Sequence, residues 1–174
     1  RQAELSQKFS ENALDATEAF SYLATEDEMA GIPADIQATA RAAAESQGHS
    51  GYLLTLKMPC YIPVMQFAQR SDLRERLYKA HTTRASDQAP EDQRRYDNTA
   101  LMQELLALRQ EEAKLLGHAS YADVSLVPKM AQSPAEVVGF LRELAQKARP
   151  YAQQDLDDMR EFARTELGMS DPQP

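Results

Sequence analysis

Apolar side chains recur at helical spacing along most of this chain, and the exceptions are short and well bounded. In residues 2–16, Leu5, Phe9, Ala13 and Ala16 share one face while Glu4, Lys8 and Glu11 supply the wet side, so the spacing predicts a helix. From Thr17 to Leu23 the pattern shifts to partial alternation, and Phe20 and Tyr22 favour a strand. Thr25 with Glu28 three residues later has the spacing of a reciprocal helix cap, which predicts a short helix closed by Gly31. Pro33 suits the first turn of the next helix, an alanine-rich run carries it to Gln47, and Gly48 ends it. Gly51 to Lys57, bounded by Gly51 and Pro59, is the clearest strand. Its expected partner is residues 18–24, in an antiparallel ribbon that helices must cover, because two strands alone are marginal.

Beyond Pro63 the pattern is helical almost throughout. Val64, Phe67 and Ala68 predict a short helix starting there, and Leu73, Leu77, Ala80 and Arg84 mark another after Ser71. Asp92 to Leu116 reads as one long helix, with Met102, Leu105, Leu106, Arg109, Ala113 and Leu116 on a broad face and Gly117 as its stop. A short turn or helix follows at Tyr121 and Ala122. Ser133, Pro134 and Glu136 combine a cap, a first-turn proline and a reciprocal acid, opening a last helix expected to reach Leu167 before Gly168. Pro150 falls inside it and is expected to kink or split it.

Composition agrees with this pattern. Among 174 residues there are 27 alanines, no Trp and only 6 Gly, a strong lean towards helix. The reading is a mainly α fold of long antiparallel helices with a small two-stranded antiparallel β ribbon. One helical domain is expected over 1–174, with a helix-plus-ribbon subregion at 1–69 and a helical subregion at 70–174. The net charge is −8, with 3 basic and 9 acidic residues in positions 1–48, and no basic stripe, which argues against nucleic acid or a membrane surface as partner. No apolar run approaches the ~20 residues of a membrane span. No leader-like segment precedes the first helix, so a cytoplasmic location is expected. The chain opens at Arg1 inside a helical pattern and closes on the loop-like Asp171 to Pro174, so both ends read as cut from something longer.

Candidate chemistry is sparse. His49, His81 and His118 contain no pair four residues apart, and no Cys-x-x-Cys occurs. Cys60 is the sole cysteine; it reads as a small buried apolar residue or, alternatively, as a thiol nucleophile needing a nearby base. Gly48 to Gly51 resembles a nucleophile elbow, but the second glycine comes one position early. Asp155, Asp157, Asp158 and Glu161 read as a solvated helix face. From residues alone this is a helical domain without a chemical site.

A set of segments in a fixed order adds to this. Gly51 to Met65 (GYLLTLKMPCYIPVM), Leu73 to Ser86 (LRERLYKAHTTRAS), Tyr96 to Asn98, Glu104 to Arg109, Ala113 to Gly117, Tyr121 to Asp123 and Lys129 to Ala131 resemble, in sequence order, the oligopeptidase A and thimet oligopeptidase family of zinc metallopeptidases. Asn12 to Thr17 and Ala148 to Pro150 are similar to it as well, so the resemblance covers essentially the whole chain. It implies an internal fragment of a large helical enzyme that cuts short peptides inside a channel, with zinc held by His-Glu-x-x-His and a distant glutamate. That motif is absent here, so no catalytic and no metal residue is carried over, and the chain by itself is expected to be inactive. The polar side of Tyr96 to Arg109, with Asn98 and Arg109, is expected to line that channel or, alternatively, to be ordinary surface and interhelical salt bridges. Short peptides are the expected partners of the parent, and self-association is expected through the surface a missing lobe would cover. The competing reading is a stand-alone helical interaction module.

Overall fold

The structure, a computed structural model, describes residues 1–170; the loop expected over 171–174 lies outside the described residues. Two compact units emerge, residues 1–109 and 110–174.

In the first unit, α1 (Gln2–Ala19) runs three residues past its expected end and leaves only Ser21–Ala24 for β1. β1 pairs antiparallel with β2 (Tyr52–Thr55), Ser21 opposite Thr55 and Ala24 opposite Tyr52. Tyr52, Leu53 and Leu54 are all buried, because β2 lies against α2 (Ala34–Ser46) while the ribbon also meets α3 (Met58–Phe67). With α4 (Ser71–Thr83) these elements enclose Met29, Leu54, Leu56, Val64, Leu73 and Leu77. Burying such side chains contributes about 1.5–3 kcal/mol each, which is what holds an otherwise marginal ribbon. Tyr52 also carries a polar tip: its hydroxyl donates to Glu26 at 2.5 Å and accepts from Arg41, whose guanidinium lies 4.9 Å from the ring centre.

Three expectations in this unit are corrected. Thr25 and Glu28 do meet, the carboxylate accepting from both the Thr25 N–H and its hydroxyl, but the helix they start is a single 3-10 turn at Asp27–Met29. The helix expected from Pro63 begins five residues earlier, at Met58. Pro59 sits in the first turn, where its missing N–H costs nothing, and the Lys57 carbonyl accepts from both Cys60 and Tyr61. The long helix expected from Asp92 is broken. A 3-10 segment at Glu91–Tyr96 ends before Asp97, and α5 starts at Thr99 and runs to Leu115. Asp97 accepts from the Thr99 N–H at 2.9 Å and its hydroxyl at 2.7 Å, a side-chain turn that competes with helix.

In the second unit, Gly117 ends α5 with φ +78°; its N–H donates to the Lys114 carbonyl and that of His118 to Ala113. α6 (Tyr121–Leu126) opens with a reciprocal cap in which Ser120 Oγ accepts from the Asp123 N–H and Asp123 Oδ2 accepts from the Ser120 N–H. α7 (Pro134–Thr165) is capped by Ser133, whose hydroxyl accepts from the Glu136 N–H, while Glu136 reaches one residue further back to Gln132. Pro150 does not split α7, which is continuous over 32 residues.

Candidate functional site

Asn98 and Arg109, the two residues singled out from the sequence, belong to the same helix region but have different surroundings. Asn98 is 1% exposed. Its Nδ2 donates to the Phe9 carbonyl at 3.0 Å, its Oδ1 accepts from Asn12 Nδ2 at 2.9 Å, and its backbone N–H donates to Ala85 at 3.0 Å. Every polar group of this side chain is thereby used to hold α1 against the start of α5. Arg109 is half-buried and lines a cleft of about 420 Å³ together with Ser6, Phe9 and Ser10 of α1 and Met102, Leu105 and Leu106 of α5. At the outer side of the same two helices Arg1 pairs with Glu104 at 2.7 Å, and the guanidinium holds that carboxyl below its usual range. The cleft is lined by four apolar side chains, with Ser6, Ser10 and Arg109 as its polar members.

Other pockets hold the remaining candidates. Cys60 is half-buried beside a cavity of about 450 Å³ lined by Ile36, Ala40, Ala43, Leu53 and Lys57 among others, none of them a histidine or carboxylate. The Thr55 N–H donates to its sulfur at 3.4 Å, the use expected of a small structural residue. His49 is exposed just past the end of α2. His118 lines a polar pocket of about 320 Å³ with Asp123, Lys129 and Gln132.

His81 was not assigned a role from its sequence neighbours. The structure stacks its ring on Tyr61, with centroids 4.3 Å apart and planes 15° off parallel. Burial first, and then the charge of Arg84, hold its pKa below the ordinary histidine value. The neutral ring is favoured in the fold, so the unfolded chain binds the extra proton as pH drops below about 6.5. Stability from this residue is complete above that value and is lost as pH falls towards the depressed folded pKa. His81→Phe, which keeps the stack, is expected to flatten this part of the stability profile between pH 7 and 5. Urea titrations at several pH values check it, and an unchanged slope would remove His81 as the cause.

Among the described residues no three His, Cys, Asp or Glu side chains come together in a way that could hold a metal ion. Comparison with known proteins supplies what the geometry alone leaves open. The family model of peptidase family M3 matches residues 64–174. Over the full chain, this protein is 46% identical to Oligopeptidase A of Salmonella typhimurium and to that of Escherichia coli, and 41% identical to that of Haemophilus influenzae. The chain spans 26% of the length of each of these relatives and matches their N-terminal part. The chain belongs to peptidase family M3.

Proposed function

We propose that this chain is one part of a zinc-dependent metalloendopeptidase that hydrolyses short peptides internally in the cytoplasm, and that this part is scaffold and channel wall, inactive on its own. The observation that carries the reading is the 46% identity along the entire chain to a quarter of Oligopeptidase A. The zinc belongs to the reading of the family, and the residues present do not fit a site for it. His81 is committed to its stack on Tyr61, and no ligand trio converges among the described residues. No step through a metal is therefore derived from this chain.

What these residues contribute is shape and binding. The α1–α5 cleft is lined mostly by apolar side chains and bordered by Arg109, which suits a short peptide carrying an apolar residue. Asn98 serves the wall indirectly, by fixing the two helices that form it. In the full-length protein, Arg109→Ala is expected to raise KM for a short peptide about fivefold, the worth of a ~1 kcal/mol polar contact, with kcat little changed. Unchanged kinetics would take Arg109 out of the wall.

Expression of the complete open reading frame tests the function itself. Hydrolysis of short peptides that is lost on chelation and regained with zinc is the expected result. Stoichiometric zinc and peptide cleavage in the 174-residue chain would overturn the reading, as would a gene that stops at Pro174.

A further inference from the structure

The second unit ends in a helix whose two sides are in very different states. On one side of α7, Lys147 pairs with Glu143, Gln154 with Asp158 and Arg164 with Glu161, each three or four residues apart. Pro150 also faces that side at ~100° per residue, so the bond it deletes is on the wet side. This surface is complete in water. On the other side Val138, Leu141, Ala145, Ala148, Ala152, Leu156, Met159 and Ala163 form one stripe, widened by Val137, Leu144 and Phe162. No residue of α7 is buried; Leu141, Leu144, Met159 and Phe162 are all more than half exposed. A stripe about 38 Å long at 1.5 Å per residue is left open to solvent.

The spacing says what kind of surface covers it. From Val138 to Ala163 the mean step is about 3.6 residues, and the face is broad, as in helices that pack into a globular core. A two-stranded coil with a second copy would need a 3.5-residue seam. That seam starts well, with Val137, Leu141, Leu144, Ala148 and Tyr151, but then places Asp155 and Asp158 at its centre. A second copy is therefore a poor occupant. The relatives supply a better one, because about three quarters of the length of each is unmatched by this chain.

We propose that the apolar stripe of α7 is the face on which the remaining part of the longer chain packs, so that α7 is the contact joining this scaffold to the portion beyond residue 174. The proposal rests on the peptidase-fragment reading. It adds which surface meets the rest of the enzyme.

The test uses the full-length protein with a benzophenone side chain placed at Phe162, at Leu144 or, as a polar-side control, at Lys147. On irradiation, Phe162 and Leu144 are expected to cross-link within one chain to residues beyond 174, and the Lys147 variant to give no such product. Attachment to residues 1–109, a product of doubled mass, or no product at either stripe position would each overturn the proposal. The unmodified protein gives a second reading should a variant fold poorly. Met159 and Phe162 are expected to be oxidised by hydroxyl radicals more slowly in the folded full-length protein than in its urea-unfolded form, and equal rates would overturn the proposal. Peptide hydrolysis measured on the same preparation separates the two readings. An inactive protein with the expected cross-link removes the peptidase assignment alone, and an active protein without it removes the role of α7 alone.

Discussion

Gly31→Ala is expected to destabilise the first unit by about 3 kcal/mol, roughly 1 from the left-handed backbone and the rest from overpacking. Gly31 has φ +85°, and a Cβ there would stand 2.4 Å from the Phe67 carbonyl oxygen and 2.9 Å from Gln69 Cγ. The first of these is backbone at the end of α3, which cannot swing aside as a side chain can. The Gln69 N–H donates to the Ala30 carbonyl at 2.9 Å, so the two strands of chain are tied together beside the clash. Gly48→Ala is the control: its φ is +76°, but nothing lies within 4 Å of the added Cβ, so only the backbone cost of about 1 kcal/mol applies. Urea unfolding of both variants, followed by far-ultraviolet circular dichroism, gives the comparison. Equal losses would mean that the Phe67–Gln69 segment yields freely.

Asn98→Leu should cost about 2–3 kcal/mol, the desolvation penalty of buried groups left without partners. The substitution strands Asn12 Nδ2 and removes a bond to the Phe9 carbonyl, in a place with almost no access to water. The double variant Asn12→Leu with Asn98→Leu is expected to lose clearly less than the sum of the single changes, because it removes both orphaned partners together. Additive losses would show that the pair is not coupled. The same cycle has a functional readout in the full-length protein if it hydrolyses peptides as proposed: where Asn98 only holds α1 to α5, kinetic losses should follow the stability losses and not exceed them.

The resemblance to a helical peptidase family and the mainly α fold are both legible in the sequence, and the matches to peptidase family M3 agree. The sequence pattern places Asn98 and Arg109 on the polar side of one continuous helix, where a polar residue with helical spacing reads as surface. Asn98 lies instead in the gap between a 3-10 segment and α5, turned inward. The partners that draw it there, Asn12 and Phe9, are 86 and 89 residues away along the chain. No window of periodicity spans such a distance. The Tyr61–His81 stack escaped notice for the same reason, as its members lie on different helices.

Sequence by itself determined what is local: the ribbon strands, the glycine stops at Gly48 and Gly117, the proline and serine that open α7, and the amphipathic stripe along it. These depend on backbone preference, capping and spacing, all set within a few residues. Tertiary structure alone decided where the Asp92–Leu116 pattern breaks, that α3 runs through Pro63, and that Asn98 is buried while the stripe of α7 stays open. Each of these turns on which distant groups are close enough to satisfy a hydrogen bond or exclude water, and that is a property of the assembled chain.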